Sequence, residues 1–298
     1  MKYMKVSMVM EESKLNIAVL SGKGGTGKTL VSVNLASVSG NSNYVDCDVE
    51  EPNGHLFFKP QNIQRESITT EVPLVDHDKC IGCKKCVDFC KFNALAYSKK
   101  LIVFEDICHS CGGCMLVCPE DALDKKKKPI GVIEKGHSLD VNVFSGILNP
   151  GEASGTPIIE SLLENLRGSA HTTVIDCPPG SACIVMDSIK DADYCVLVAE
   201  PTLFGAHNLN MVYELVSLFK KPFGVVLNKT VDGDNPSREF CLENNINILC
   251  DIPFDAHLGT LNSNSFIVSR EEDKYKRLFE SLLDAITKEV EYETVVNP

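Results

Sequence analysis

Residues 21–29 read SGKGGTGKT, set between a short apolar run at 15–20 (LNIAVL) and a stretch at 31–40 (VSVNLASVSG) whose Val31, Leu35, Ala36 and Val38 suit a buried helix. That order is strand, glycine loop, helix. Gly22, Gly27, Lys28 and Thr29 satisfy G-x4-G-K-S/T, with Gly24, Gly25 and Thr26 filling the loop. Glycines here let backbone N–H groups close around phosphate oxygens, and the helix N-terminus adds a partial positive charge. Lys28 reaches the β- and γ-phosphates and Thr29 ligates Mg2+. The competing reading, a glycine turn that binds nothing, leaves the lysine and threonine at these two positions unexplained.

Working outward, residues 43–46 form a short strand that ends in the acidic string Asp46, Asp48, Glu50, Glu51. In a doubly wound sheet the second strand delivers such a string beside the phosphates. Residues 172–176 (TTVID) form a β-branched buried strand ending on Asp176, which can hold magnesium through water, and the following CPPG suits a switch. The bland alternative makes Asp46 and Asp48 solvated strand-end carboxylates, and it weighs more on Asp46 than on Asp48. Further buried strands fall at 194–199 and 223–227, separated by a helix carrying Leu209, Val212, Leu215, Val216 and Phe219. A helical stretch covers 158–166, and a last helix starts around Glu271. Strands alternating with helices at this spacing predict an α/β fold with a doubly wound, mostly parallel sheet.

The chain has 298 residues, 44% hydrophobic and 23% charged, with a net charge of −12. That balance excludes a disordered or membrane-embedded chain and speaks against a nucleic-acid partner. The N-terminal MKYMKVSMVMEESK has no uninterrupted apolar core of a secretory leader, and no run reaches the ~18 apolar residues of a span. The expected compartment is the cytoplasm, without stable membrane association. The outlier is cysteine, at 14 residues with no tryptophan.

Eight of those cysteines lie in two runs: Cys80-x2-Cys83-x2-Cys86-x3-Cys90, then Cys108-x2-Cys111-x2-Cys114-x3-Cys118-Pro119. This is the bacterial-ferredoxin run written twice, and in two-cluster ferredoxins each run's fourth cysteine ligates the other cluster. One 4Fe-4S cluster is expected on Cys80, Cys83, Cys86 and Cys118, the second on Cys108, Cys111, Cys114 and Cys90. Lys91 stands where the first run would often carry proline. A zinc site is the competitor, but four-cysteine zinc motifs use two C-x2-C pairs. Phe89, Phe92, Leu95 and Tyr97 read as the apolar shell of the unit. Lys125–Lys128 reads as a solvated exit loop or, alternatively, a docking patch. The other cysteines read as small core residues.

SGKGGTGKT, with its early Lys23, resembles the deviant Walker A loop of the MinD/ParA/Mrp superfamily, to which the nitrogenase iron protein also belongs. The likeness continues through VDCDVEEPN, IDCPPG, VAEPT, VLNK and DIPFD. It implies an ATPase that dimerises, as a homodimer or with a related ATPase. Lys23 would cross to the partner's nucleotide, Asp48 would orient the attacking water and Asp176 would hold the magnesium shell. Asn228 and Pro253 match positions that frame adenine. Nothing resembles the guanine signature, since Asn228-Lys229 runs on into Thr230, Val231 and Asp232.

With the cysteine runs included, the resemblance narrows to P-loop NTPases carrying a small inserted bacterial-ferredoxin-like α+β domain. Residues 1–72 and 129–298 would form the ATPase core and 73–128 the insertion. Such a protein would couple ATP hydrolysis to electron transfer with a redox partner, or to cluster delivery to an apo-metalloprotein client. The alternative is a nucleotide-switched spatial organiser of division or partition. Cys183 stands where the iron protein carries a ligand of a cluster shared between subunits. Its second such cysteine has no counterpart in the PGEASGTP stretch, so Cys183 reads as a buried or switch-region thiol or as a transient ligand.

Overall fold

The computed structural model describes residues 14–296, with side chains through 292. The leader reading of residues 1–13 and the last residues of the acidic tail lie outside it. Nine strands form one sheet in the order β11-β10-β9-β1-β8-β2-β7-β6-β3. They are β1 (Asn16–Leu20), β2 (Ser42–Asp46), β3 (Gln61–Val75), β6 (Leu123–Ser138), β7 (Val141–Leu148), β8 (Thr172–Asp176), β9 (Tyr194–Ala199), β10 (Phe223–Thr230) and β11 (Ile248–Pro253). β4 (Leu95–Tyr97) and β5 (Leu101–Val103) make a separate hairpin. From β11 to β7 every pairing is parallel.

Both faces of that parallel sheet are covered, which is why its strands read as unbroken apolar runs. Along β1, Ala18 and Leu20 join one buried cluster with the helices Thr156–Glu164 and Leu203–Leu218, while Ile17 and Val19 face the other. The second cluster holds the helix Lys28–Val38 and the last helix, Asp273–Val296, whose Tyr275, Phe279, Leu282 and Ile286 are buried. The expected start near Glu271 falls instead in a separate one-turn helix, Val268–Glu271. The chain breaks to an extended conformation at Glu272 before the long helix begins.

The antiparallel addition on the far edge was not expected from the sequence. β6 pairs antiparallel with β7 from Ser138↔Val141 to Gly131↔Leu148, and β3 pairs with β6 from Gln61↔His137 to Val75↔Leu123. Because Leu148 is the carboxyl end of a strand parallel to β1, the ribbon beyond Gly131 projects from the same sheet edge as the glycine loop. The cysteine segment, residues 76–122, hangs from its tip. Expected boundaries at 73 and 128 therefore fall inside paired strands. Lys125–Lys128, read as an exit loop, is strand: it opposes Thr70–Pro73 on β3, and Lys125 Nζ meets Glu71 at 2.6 Å. Ile68, Ile130 and Ile133 anchor the ribbon's base beneath Thr156–Glu164.

Candidate functional site

The helix Lys28–Val38 begins behind Gly27, at φ 100, with no side chain capping it. Its first N–H groups are thus left for an anion. A Cβ at Gly27 would collide with the Asn228 amide, and one at Gly22 with the Asn208 carbonyl, so both positions require glycine. Above the loop lies a cavity of about 400 Å3 lined by Lys23, Gly24, Gly25, Gly27, Lys28, Thr29, Asp48, Asn228 and Pro253, among others. Gly22, Thr26 and Asp176 do not line it. Asp176 is buried, and Lys28 Nζ donates to its Oδ1 at 2.5 Å while the Tyr44 hydroxyl donates to Oδ2 at 2.9 Å.

The electrostatics follow from burial. Desolvation pulls the Lys28 ammonium down, but Asp176, with Asp46 and Asp48 behind it, outweighs this and holds the pKa above its ordinary value. Asp46 is buried rather than solvated, which corrects the bland reading. Its carboxylate accepts from the backbone N–H groups of Asn53 at 2.9 Å, Gly54 at 2.8 Å and Asp48 at 3.2 Å, so it folds the 47–54 loop onto the end of β2. Desolvation and the neighbouring Asp176 push its pKa up to about 7. Asp48 is half-buried at the cavity wall, its carboxyl raised chiefly by desolvation.

Lys23 turns back on its own subunit. Its Nζ meets Glu200 Oε2 at 2.5 Å and lies over the Phe204 ring. Glu200 also accepts from Lys229 Nζ at 2.6 Å, and Lys229 donates in turn to the Gly25 carbonyl at 2.8 Å. Burial works against the Glu200 carboxylate, but the two lysines hold its pKa below the usual range. Asn228 spends its amide on the loop, donating from Nδ2 to the Thr26 carbonyl at 2.7 Å. It buttresses the cradle as well as lining the cavity. Glu200, Lys229 and Tyr44 were not singled out from the sequence, because no spacing marks a charge or hydroxyl that acts across separate strands.

At the ribbon's tip, the eight cysteines divide between two small cavities. One is walled by Cys80, Cys83, Cys86 and Cys118, with Tyr97 and Leu101; the other by Cys90, Cys108, Cys111 and Cys114, with Phe89, Phe92 and Leu95. Each set takes three cysteines from one run and the fourth from the other. The Ala122 N–H donates to Cys118 Sγ at 3.3 Å. Among the described residues, no three Cys, His or carboxylate groups converge on a single metal ion. The donor chemistry of four thiols in an apolar wall suits a polynuclear cluster, whose ligands are spread over several irons, better than one zinc. Of the remaining cysteines, Cys47, Cys177, Cys195 and Cys241 are buried and Cys183 is exposed. Burial pushes the Cys195 thiol up to about 12 and that of Cys241 to about 11, as expected of inert core thiols.

The family described as the CobQ/CobB/MinD/ParA nucleotide binding domain matches residues 17–265. An uncharacterized protein of Methanocaldococcus jannaschii is 32% identical over 284 residues, covering 91% of this chain and 98% of its own. A second from the same organism is 30% identical over 220 residues, covering 72% and 79%. The fold is similar to the cell division ATPase MinD of Pyrococcus furiosus, with a TM-score of 0.55, 18% identity and coverage of 92% of this chain and 98% of that one. MinD of Pyrococcus horikoshii, solved with Mg-ADP, gives a TM-score of 0.54 at 17% identity, with 91% and 95% covered.

Proposed function

Because the chain belongs to the CobQ/CobB/MinD/ParA nucleotide-binding family, we propose that it is an ATP-hydrolysing switch whose nucleotide state is read by an inserted unit holding two 4Fe-4S clusters. The nucleotide half is supported by the uncapped helix and its glycine cradle beneath a cavity of about 400 Å3. Lys28 would neutralise phosphate charge and Thr29 would supply a hydroxyl to Mg2+; Asp176, buried behind Lys28, would hold the water shell of that ion once the lysine turns to the phosphates. Asp48 orients the attacking water from the cavity wall. Lys23, swung off Glu200, reaches the nucleotide of a second subunit, homologous or identical, in the manner of an arginine finger. Asn228 and Pro253 border the adenine. Magnesium, when bound, would supply charge neutralisation at the transferred phosphoryl group, and these side chains would do the positioning.

The iron–sulfur half is carried by one observation: the cysteines sort into two cavities with the fourth ligand exchanged between runs. Clusters there would supply one-electron chemistry to a redox partner, or a cargo for an apo-metalloprotein client, in the cytoplasm. The family and the fold neighbours favour a MinD/ParA-type nucleotide switch more than they favour electron transfer. The spatial-organiser reading is therefore the better supported of the two by likeness, and the redox reading rests on the cysteines alone.

One experiment separates the two. The full chain, reconstituted anaerobically, is assayed for iron and acid-labile sulfide and followed by EPR during reductive titration with and without ATP. Two cubane signals that respond to ATP support the redox reading. Protein that hydrolyses ATP but retains no iron sinks that reading and leaves the organiser, which nucleotide-dependent foci in cells would check. In either case Lys28→Ala should lower hydrolysis by about 100-fold or more, the order expected for losing a preorganised charge on the transferred phosphate.

A further inference from the structure

The two cysteine runs differ at the corner between their first two cysteines, Cys80-Ile81-Gly82-Cys83 against Cys108-His109-Ser110-Cys111. Both corners are left-handed: Gly82 has φ 70 and Ser110 has φ 54. Glycine is the natural residue for that backbone, and in the first run it is required twice over, because a Cβ there would strike the Tyr97 hydroxyl. The second run keeps a serine at the strained position. Its Oγ is buried and has no hydrogen-bond partner among the described residues, and Ser110 lines the cavity formed by Cys90, Cys108, Cys111 and Cys114. Backbone strain and an orphaned hydroxyl at the same residue are two separate costs, and a sulfur acceptor inside the cavity would remove the second.

We propose that the Ser110 hydroxyl donates a hydrogen bond to a sulfur of the cluster held by Cys90, Cys108, Cys111 and Cys114, and so sets that cluster's reduction potential above that of an otherwise identical site. The proposal rests on the iron–sulfur reading above. Its sign follows from charge: reduction makes the cluster more negative, and a fixed donor stabilises the more negative form. Hydrogen bonds to the sulfurs are among the levers that set these potentials. The first cavity has glycine at this corner, so only the second offers a side-chain hydroxyl there.

The test is an EPR-monitored redox titration of full-length, anaerobically reconstituted wild type, Ser110→Ala and Ser110→Gly, with iron counted in each. Ser110→Ala removes the hydroxyl alone. Ser110→Gly removes it while restoring the residue the backbone prefers, so loss of folding cannot mimic the effect. Both variants should keep full iron and lower the midpoint of one cluster, the one whose signal Cys111→Ala removes. The shift should be about tenfold in its one-electron equilibrium, or about 59 mV, with the other cluster unmoved. Unchanged midpoints in both variants, or equal shifts of both clusters, overturn the role of Ser110. Wild type that binds no iron overturns the reading on which the proposal rests, and that result is distinct because it is visible in the iron count before any titration.

Discussion

At the scale of the residue, the active cradle is governed by buried carboxylates that sequence position alone made look ordinary. Asp46 ends β2, where strand-end aspartates are usually wet, yet it is buried against Asp176 and its pKa is lifted from 3.8 to about 7. The folded protein therefore binds more protons than the unfolded chain between those two values. Linkage then makes this residue's contribution fully stabilising below about pH 4 and progressively lost as pH rises towards and through 7. Thermal melts of nucleotide-free, magnesium-free protein should show a midpoint that declines from pH 5 to pH 8. Asp46→Asn should flatten that decline whatever it does to the absolute midpoint; a variant with the wild-type slope would assign the effect elsewhere. Lys23 shows the same lesson in another form. Its place in SGKGGTGKT was plain, but its partner Glu200 lies in VAEPT, and only the fold puts the two 2.5 Å apart.

At the scale of the element, the segment that matters most is the loop between β7 and the helix Thr156–Glu164. Gly155 packs against Val49 and Ile184, and the Leu148 N–H donates to the Val49 carbonyl at 2.8 Å. The loop thus leans on both segments that border the nucleotide cradle. Its Glu152 accepts from Lys128 Nζ at 2.8 Å, and the same ammonium reaches the Glu105 carbonyl at 3.2 Å and Asp106, two residues before Cys108, at 2.8 Å. Lys128 is only 13% exposed at its side chain, and Glu152 11%. Replacing it by methionine should cost about 1–3 kcal/mol, because a nearly buried carboxylate loses its donor. The sharper expectation is functional. In wild type, ATP should change amide hydrogen exchange over residues 105–111 by about tenfold or more, the scale of a coupling of ~1–3 kcal/mol, and Lys128→Met should abolish that change while nucleotide still binds. Exchange in 105–111 that responds to ATP equally in both proteins would exclude this contact as the link.

At the scale of the whole molecule, the structure is a sheet with two cores of its own and a cysteine unit with a third. That third core, Cys86, Leu95, Leu101, Cys114 and Leu123, shares no buried residue with the other two. The unit's chain ends leave from one paired step, Val75↔Leu123. Replacing residues 76–122 by Asn-Gly, a two-residue hairpin turn, should leave a soluble protein whose ATP affinity stays within about threefold of wild type. Aggregation, or loss of nucleotide binding, would show that the unit is part of the ATPase fold.

The parallel strands were legible in the sequence because burial on both faces writes them as LNIAVL, TTVID and YCVLVA. The ribbon was not legible. Much of QNIQRESITTEVPLV and LDKKKKPIGVIEKGHS faces solvent, and their register leans on cross-strand pairs such as Arg65 with Glu134 and Lys135 with Glu66, which exist only once the strands are aligned. For the same reason Lys125–Lys128 looked like free charge, although three of its four lysines are bound to carboxylates.

The ribbon also has a mechanical character. A thrust on the cysteine unit along β6 is borne in shear by the whole row of bonds between β6 and β7 at once, from Gly131 to Ser138. A sideways load acts differently, since the register slips between Ile68 and Thr69, where the ribbon leaves its anchored base. Below that irregularity it is a clamped beam, and above it an arm tied back to the core through Lys128 and Glu152. Motion that links the nucleotide cradle to the cysteines should therefore be a swing about residues 68–69 and not a slide.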